Sequence, residues 1–276
     1  MNSSFWYVYY DLKKSGLISA PRGLEVLEIE NYNYTLEPYE RFVSLPSRKM
    51  NLDYVKRECL WYLKGDKYDT SICEHAKMWK GLINSDGSIN SNYGQYVFGK
   101  QNQFDVAFQT LANDKDSRRA SIVILSKDHL ADPDTKDYPC TYSINFRIRA
   151  DTLNMTVRMR SQDAVFGMTN DAPNFSFIHE MMYVSLRDTH FPDLKMGKYH
   201  HSADSFHIYS RHFRMLDRML EDGPESAEEI NCPKISGLNE VTFLRNWHTL
   251  PEDFPIPEQF KFTKWLTTFK KRKNNE

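Results

Sequence analysis

The sequence predicts a mixed α/β fold, in which a twisted sheet is flanked by helices. Apolar and polar residues alternate over residues 142–148 and again over 153–159, on either side of a turn at residues 150–151. This pattern predicts a β-hairpin. Residues 121–126 contain four successive aliphatic side chains and predict a strand that is buried on both faces. Residues 89–98 are expected to form an irregular strand or a loop.

Helical periodicity supplies the other half of the fold class. A first helix is predicted between Asn51, a suitable N-cap, and Gly65, a suitable stop. Its apolar stripe consists of Leu52, Val55, Cys59 and Leu63. A second helix is expected to begin at Asp171, with Pro173 in its first turn, and a third amphipathic helix lies near residues 215–220.

Length and composition favour one domain over residues 1–276. A chain of this length with 40% hydrophobic residues can bury a large core. From about residue 222 the chain is rich in prolines, and we expect a loop-rich extension of the same domain. The basic run at residues 270–273 is expected to be a solvated tail.

Charge and hydropathy exclude several classes of function. A net charge of −1 argues against bulk binding of nucleic acid, which needs a strong basic excess. No apolar stretch approaches the roughly 20 residues of a membrane span, and the first residues do not resemble a signal peptide. The protein is therefore expected to be cytoplasmic, without a membrane partner.

No metal site is expected. The cysteines are Cys59, Cys73, Cys140 and Cys232, and their spacing does not match a zinc site. In a reducing cytoplasm they should be thiols. A second cluster consists of His200, His201, His207 and His212, but it lacks the helical spacing of metal-ligating pairs.

Three residue types near the predicted hairpin indicate chemistry on a nucleotide base. Cys140 is a candidate nucleophile, Arg160 can bind a phosphate, and Asp171 can accept hydrogen bonds from an amino group. Strict alternation, however, puts Arg160 on the polar face of its strand and Cys140 on the apolar parity of the preceding strand. A bulge, a strand end or a sharp twist must intervene if both contact one ligand.

Several short motifs occur in an order that carries a family resemblance. They are Glu58 in a helix that ends at residues 60–66, Trp79, Tyr93-Gly94, Ser117-Arg118-Arg119, Pro139-Cys140, Arg160-Ser161-x-Asp163, Gly167 and His207-Ile208-Tyr209. Over residues 20 to 215 the chain resembles the thymidylate synthase family. Residues 87–94, 140–141, 159–167 and 209–213 are similar to the phage deoxycytidylate hydroxymethylase branch of that family.

The resemblance implies a thymidylate synthase-like fold, in which two subunits pair sheet to sheet as a homodimer. It implies 5,10-methylenetetrahydrofolate as cosubstrate, a pyrimidine nucleoside monophosphate as substrate, and no metal. Arg118 and Arg119 would reach the partner's phosphate site, although on their own they read as surface arginines. If the chain is phage-encoded, its compartment would be the host cytoplasm.

The resemblance also assigns roles to single residues. Cys140 would add to carbon 6 of the base, and nearby arginines are expected to lower the pKa of its thiol. Glu58 would organise water and move protons. The further nucleotide ligands would be Arg22, Arg160 and Ser161, together with His207 and Tyr209 as the pair that binds the sugar. The folate ligands would be Trp79, Tyr93, Asp163 and Gly167. Without the resemblance, Cys140 reads as a structural thiol, Glu58 as a surface residue, and Trp79, His207 and Tyr209 as core residues, with Asp163 as a loop cap.

Asp171 is expected to select the base. Thymidylate synthases carry an asparagine at the matching place, whose amide both donates and accepts. An ionised carboxylate only accepts, and cytosine presents an N4 amino donor together with N3, which becomes a donor when it is protonated. Locally, a helix N-cap is an equally good interpretation of Asp171, and both can hold only if its two oxygens divide the tasks.

The end of the chain favours capture of water. Residues 268–276 are mostly polar and cannot easily seal a dry site, so water is expected to add where thymidylate synthases deliver hydride. The expected function is conversion of dCMP to 5-hydroxymethyl-dCMP. The alternatives are a CMP hydroxymethylase of the type found in antibiotic pathways, a dUMP hydroxymethylase or thymidylate synthase, and an inactive relative that binds nucleotides or RNA.

Overall fold

The computed structural model describes residues 3–251 and 253–269, and it confirms the mixed α/β class. The strands are β1 (Leu17–Ser19), β2 (Val26–Leu36), β3 (Ser121–Val123), β4 (Thr141–Arg149), β5 (Thr152–Met159), β6 (Gln162–Asp163) and β7 (Lys195–Tyr209). Within the described residues they form one seven-stranded sheet in the order β1-β2-β7-β5-β4-β3, with β6 paired to β7. The sheet is mixed, because β7 runs parallel to β5 and β6 but antiparallel to β2.

Helices cover one side of this sheet. They are α1 (Ser3–Ser15), α2 (Leu52–Lys64), α3 (Gly94–Val97), α4 (Gln103–Asn113), α5 (Lys127–Ala131), α6 (Gly167–Thr189), α7 (Phe213–Asp222), α8 (Leu238–Arg245) and α9 (Lys261–Thr267). The long helix α6 is buried along most of its length and packs on α2, α4 and α8. The search of the described residues finds no helix long and apolar enough to cross a membrane.

The predicted hairpin is confirmed as β4 and β5. Its turn residues Ala150 and Asp151 have φ angles of 46° and 53°, the left-handed conformation that tight hairpin turns require. The inward side chains form the sheet side of the core and are Ile144, Phe146, Ile148, Leu153, Met155, Val157 and Met159. Tyr142 departs from the predicted alternation, because its side chain is exposed.

A β-bulge explains why Tyr142 is exposed. It also brings Cys140 and Arg160, which strict alternation puts on opposite faces, to the same face of the sheet. The register of β4 against β5 shifts between Thr141 and Ser143. Thr141 is consequently buried opposite Met159, and Cys140 moves to the face of Arg160. The backbone N–H of Arg160 donates to the carbonyl of Cys140 at 2.8 Å. The irregularity that a shared ligand requires is therefore present.

Two predicted strand segments differ from the structure. Residues 121–126 were expected to be buried on both faces, but only Ser121–Val123 is a strand and Val123 is 52% exposed. The reason is that β3 is the edge strand of the sheet, so one of its faces meets solvent. Residues 89–98 end in the short helix α3, which is not the irregular strand or loop that was expected.

The first predicted helix is confirmed in its boundaries as well as its position. The Asn51 side chain accepts a hydrogen bond from the Tyr54 N–H at 3.2 Å, as an N-cap does. Gly65 ends the helix with φ = 64°, a left-handed conformation that glycine adopts without strain. The amphipathic helix near residues 215–220 is likewise present as α7.

The predicted start of the second helix is wrong. Helix α6 begins at Gly167, so Asp171 lies in its second turn and is not an N-cap, and Pro173 lies inside the helix. The turn before the helix is held by Asp163, whose Oδ1 accepts from the N–H groups of Val165 and Phe166 at 2.8 and 2.7 Å. Asn174 Nδ2 donates to the carbonyl of Asn170 at 3.1 Å beside the proline.

Described residues after Asp222 contribute to the same core as the rest of the chain. Leu244 and Leu266 are fully buried within it, and the buried carboxylate of Glu240 accepts from the Thr263 N–H at 2.8 Å. Short helices therefore alternate with loops in this region. The basic run at residues 270–273, and with it most of the C-terminal segment used to predict water capture, lies outside the described residues.

Candidate active site

A cavity of about 640 Å³ opens where β6 and the ends of β4 and β7 meet α2 and α6. It gathers most of the site residues that the sequence singles out. Those that line it are Arg22, Glu58, Trp79, Tyr93, Cys140, Arg160, Ser161, Asp163, Gly167, Asp171, His207 and Tyr209. Residues that are distant in the chain therefore share one concave site, as ligand-binding cavities require.

Cys140 and Arg160 form one wall of this cavity. Arg160 Nη2 lies 3.6 Å from the Cys140 sulfur and 2.7 Å from the carbonyl oxygen of Tyr138. Burial raises the pKa of the Cys140 thiol, and the positive charge of Arg160 opposes that rise. The expectation that nearby arginines give Cys140 a lowered pKa is therefore wrong for the free protein, because desolvation outweighs the attraction.

Glu58 lies at the base of the cavity and is only 4% exposed, which contradicts the reading of this residue as a solvated surface glutamate. Its Oε1 accepts from the Tyr54 hydroxyl at 2.8 Å, and its Oε2 accepts from Asn174 Nδ2 at 2.7 Å. Burial, followed by the nearby charge of Asp171, raises the pKa of Glu58 to about 8. A carboxyl group in this state can give or take a proton near neutral pH.

Asp171 lines the cavity from the second turn of α6. Gln162 Nε2 lies 3.4 Å from its Oδ2, and the amide oxygen of Gln162 accepts from the Tyr34 hydroxyl at 3.3 Å. Burial raises the pKa of Asp171 to about 7, partly opposed by the hydrogen bond from Gln162. The group is thus poised between a carboxylate and a neutral acid at neutral pH.

Trp79 and Asp163 take part in packing and capping as well as lining the cavity. The indole N–H of Trp79 donates to the Tyr54 hydroxyl at 2.9 Å, and Tyr54 in turn connects Trp79 to Glu58. The ring centroids of Trp79 and Trp61 lie 5.2 Å apart. Asp163 caps the turn before α6, so the loop-cap reading of this residue is confirmed. Gly167 begins α6 just after this turn, and a side chain there would contact Asp163 and Asp171.

His207 and Tyr209 lie near the end of β7, and their rings meet edge to face at 5.2 Å. Antiparallel pairing places them opposite Glu28 and Val26 of β2. Arg22 reaches the cavity from the turn just before β2, where its backbone adopts φ = 53°. A left-handed conformation is uncommon for arginine and marks a turn that is fixed by its surroundings.

Arg118 and Arg119 are the two candidate residues that this cavity does not include. They line a separate surface depression together with Thr110, Asp114, Asp116 and Ser117. Of the residues predicted to bind phosphate, the cavity of one chain contains Arg160 and Ser161, and Arg22 lines it with them.

Sequence reasoning did not assign roles to Asn174, Gln162 or Asp137. Asn174 lies one turn after Asp171 in α6, a spacing that could have placed both on the cavity face. Asp137 is 2% exposed, and its carboxylate accepts from the N–H and the hydroxyl of Ser91, each at 2.6 Å. Nothing in the local pattern around Asp137 indicates this contact, because the two segments are distant in the chain.

In the described part of the chain, no group of three or more histidine, cysteine, aspartate or glutamate side chains is arranged to hold a metal ion. The described cysteines are free.

Glu58→Gln is expected to stabilise the free protein at alkaline pH. The pKa of Glu58 is about 8 when folded against an ordinary 4.5, so the folded state holds the extra proton between these values. The free energy of unfolding therefore falls as pH rises through this window, and glutamine removes the fall. One pKa unit corresponds to about 1.4 kcal/mol, so the difference between about 8 and 4.5 predicts a gain of about 4 kcal/mol at pH 8.

The measurement is urea unfolding of both proteins at pH 5 and pH 8, with the exposed Glu229→Gln as control. The gain should be small at pH 5 and absent in the control. Equal stabilities of Glu58→Gln and the parent protein at both pH values would show that the charge of Glu58 is not destabilising.

Comparison with known proteins places this fold and cavity in a family. Residues 13–254 match the family described as thymidylate synthase, and the chain belongs to that family. The deoxycytidylate 5-hydroxymethyltransferase of Enterobacteria phage T4 is 29% identical over 220 residues, which are 77% of this chain and 87% of the phage protein. The protein of the same name from phage T2 has the same identity and coverage.

A relative with a different named substrate aligns over more of the chain. The deoxyuridylate hydroxymethyltransferase of Bacillus phage SP01 is 27% identical over 266 residues, which are 90% of this chain and 62% of that protein. The family is one of folate-dependent one-carbon transferases, and these relatives are named hydroxymethyltransferases. The chain is therefore an enzyme of this class, and the family resemblance predicted from its motifs is confirmed.

Proposed function

We propose that this enzyme transfers a one-carbon unit from 5,10-methylenetetrahydrofolate to carbon 5 of dCMP, with capture of water, to give 5-hydroxymethyl-dCMP. The observation that carries the proposal is the carboxyl group of Asp171 in the wall of the cavity that also contains Cys140. Its position in the second turn of α6 leaves it without a capping task, so it is available to a ligand.

Asp171 in its protonated form matches neutral cytosine at two points. Its hydroxyl can donate to N3 while its carbonyl oxygen accepts from the N4 amino group. A pKa of about 7 makes this form accessible at neutral pH. When Cys140 adds to carbon 6, electron density moves toward N3, and the proton of Asp171 can follow it. The same group then accepts from both N3–H and N4–H as a carboxylate.

Cys140 supplies the nucleophile in this proposal. Its thiolate attacks carbon 6 and makes carbon 5 nucleophilic, which the free pyrimidine is not. Burial disfavours the thiolate in the free protein, so the positive charge of Arg160, 3.6 Å from the sulfur, is needed to favour ionisation. A nucleotide phosphate near Arg160, Arg22 and Ser161 would place the base against the sulfur.

Glu58 and its partners handle protons in this proposal. Carbon 5 must lose a proton after it gains the one-carbon unit, and a carboxyl group with a pKa of about 8 is suited to that exchange. Hydrogen bonds from Tyr54 and Asn174 fix both of its oxygens. These bonds hold the Glu58 carboxyl group at the wall of the cavity.

The walls of the cavity fit a folate beside the nucleotide. Trp79, Leu82, Met78 and Phe166 offer apolar and aromatic surface, and Asp163 lies next to them. Such walls suit the flat pterin ring, and the carboxylate can accept from its ring N–H or amino group. When bound, the folate supplies the one-carbon unit. The residues proposed to hold it are Trp79, Tyr93, Asp163 and Gly167.

The fate of the one-carbon unit tests this proposal. If water is captured, formation of 5-hydroxymethyl-dCMP should proceed without any rise in the absorbance of dihydrofolate. We expect tetrahydrofolate and the hydroxymethylated nucleotide in equal amounts by chromatography and mass spectrometry. A stoichiometric rise of dihydrofolate would show hydride transfer and would make the enzyme a methylase.

A second candidate is hydroxymethylation of dUMP. The observation that favours it is the deoxyuridylate hydroxymethyltransferase of phage SP01, which aligns with 90% of this chain. A protonated Asp171 could donate to uracil O4 and accept from N3–H, so this form fits both bases. The ionised carboxylate only accepts, so it matches the N3–H and N4–H donors of the cytosine adduct but not uracil O4. CMP is the other alternative substrate, since a ribose differs from deoxyribose only at the 2′ position.

The proposal includes a homodimer in which Arg118 and Arg119 complete the partner's phosphate site. Their absence from the cavity of their own chain supports this arrangement. We predict that an inactive Cys140→Ser subunit mixed with an inactive Arg119→Ala subunit will recover activity, because one site of each heterodimer is intact. The measurement is turnover of dCMP after subunit exchange has been verified by mass spectrometry. Persistent inactivity of verified heterodimers would show that each site belongs to a single chain.

A further inference from the structure

A polar relay lies behind His207 on the cavity side of the sheet. Glu28 of β2 is directly opposite His207 of β7, and Ser205 precedes His207 by two residues. The Ser205 Oγ lies 3.3 Å from the Nδ1 of His207 and makes a short hydrogen bond to Glu28 Oε1. The other oxygen of Glu28 accepts from the Ser19 hydroxyl at 2.7 Å.

The chemistry of these groups fixes the direction of each hydrogen bond. The bond from Ser205 lowers the pKa of Glu28, although burial partly opposes it, so Glu28 is an ionised acceptor at neutral pH. The single hydroxyl proton of Ser205 must then point at Glu28. The Ser205 oxygen is left only as an acceptor toward His207, so the Nδ1 of His207 carries the hydrogen.

The opposite ring nitrogen is consequently a free acceptor. In a neutral imidazole with hydrogen on Nδ1, Nε2 accepts. Within residues 3–251 and 253–269, the hydrogen bonds of the structure give Nε2 of His207 no protein partner. His207 is 6% exposed and lines the cavity. An acceptor on the cavity wall is available to a donor of the ligand, and a sugar hydroxyl of a nucleotide is such a donor.

We propose that Ser205 and Glu28 are positioning residues that hold His207 as the Nδ1–H tautomer. The family resemblance already implies that His207 contacts the sugar of the nucleotide, and this tautomer makes its Nε2 the acceptor of a hydrogen bond from a sugar hydroxyl. The identity of the ligand rests on the proposed function, whereas the tautomer is a property of the free protein. If Nε2 of His207 accepts from a sugar hydroxyl, the site discriminates against an analogue that lacks this hydroxyl, because Nε2 is then unpaired in the complex.

The tautomer is tested by ¹⁵N NMR of the ligand-free protein labelled at histidine. Spectra at pH 8.5, above the ordinary histidine pKa, are assigned with a His207→Gln variant. We expect the Nδ1–H form in the parent protein, its loss in Ser205→Ala and its retention in Ser205→Thr, which keeps the hydroxyl. Ser202→Ala, at another serine of β7, is the matched control. An Nε2–H ring in the parent protein, or no change in Ser205→Ala, overturns the proposal.

The hydroxyl contact is tested by calorimetric binding of dCMP and of 2′,3′-dideoxycytidine monophosphate. Ser205→Ala should weaken the binding of dCMP about five- to tenfold, which is the contribution of one neutral hydrogen bond. The affinity for the dideoxy nucleotide should change less than about twofold. Equal losses for both nucleotides overturn the contact. If the parent protein binds neither nucleotide, the hydroxyl contact and the proposed function both fail, and the NMR result still decides the tautomer.

Discussion

Replacement of Cys140 by serine is expected to abolish formation of 5-hydroxymethyl-dCMP. The hydroxyl of serine is a much weaker nucleophile than a thiolate toward carbon 6, so turnover should fall by roughly 10⁴-fold or more, as when other covalent nucleophiles are removed. Release of tritium from carbon 5 of labelled dCMP should be lost with it, because that exchange requires the covalent adduct. Nucleotide binding should persist, since Arg160 and the rest of the cavity are unchanged.

The control for this prediction is Cys73→Ser, a buried free cysteine that does not line the cavity. It should keep turnover and tritium release close to those of the parent enzyme. Binding of dCMP by calorimetry verifies that the Cys140→Ser protein is folded. Tritium release by Cys140→Ser at near the parental rate would remove Cys140 from the mechanism.

Replacement of Asp171 by asparagine is expected to shift the enzyme from cytosine to uracil. The size of the side chain is retained, but an amide N–H2 now meets either N4–H2 or O4 of the base. One good bidentate base contact discriminates by about 1–3 kcal/mol, so kcat/KM for dCMP should fall by roughly ten- to a hundredfold. The value for dUMP should rise, with 5-hydroxymethyl-dUMP as the new product.

The start of α6 excludes one alternative explanation for an effect of Asp171→Asn. Because α6 begins at Gly167, loss of a helix cap cannot account for any effect of Asp171→Asn. Asp193→Asn, an exposed substitution outside the cavity, is the control. It should leave kcat/KM for both dCMP and dUMP unchanged. An unaltered ratio of dCMP to dUMP activity in a folded Asp171→Asn enzyme would contradict the assignment of Asp171 as the base-selecting residue.

Local rules predicted the elements whose geometry is decided locally. The Asn51 cap, the Gly65 stop and the hairpin turn at Ala150 and Asp151 depend on neighbouring residues alone, and the structure confirms them. The need for a bulge, a strand end or a sharp twist between Cys140 and Arg160 also follows from side-chain alternation, and the structure has the bulge. Its position between Thr141 and Ser143 could not be predicted, because the register depends on the pairing of β4 with β5.

Elements decided by tertiary contacts were predicted less well. The start of α6 depends on Asp163, whose capping bonds to Val165 and Phe166 are formed before the periodic segment begins. Val123 is exposed because β3 is an edge strand, a fact about sheet order that no local pattern contains. In the cavity, the order of the motifs identified Glu58. Its hydrogen bond to Asn174 could not be predicted, because it joins two helices that are distant in the chain.

Charge states were the least predictable part of the site. The sequence shows arginines near Cys140 but not how deeply the thiol is buried, and burial decides the direction of its pKa shift. The same desolvation raises the pKa of Glu58 to about 8 and of Asp171 to about 7. Both carboxyl groups are thereby placed in the range where they can exchange protons with a substrate.

A competition assay tests the proposed reaction most directly. dCMP, CMP, dUMP and UMP are offered together at equal concentration with 5,10-methylenetetrahydrofolate, and all products are quantified by mass spectrometry. The proposal predicts 5-hydroxymethyl-dCMP as the dominant product and little conversion of the other three nucleotides. A dominant product from dUMP, UMP or CMP, or methylation in place of hydroxymethylation, would contradict it.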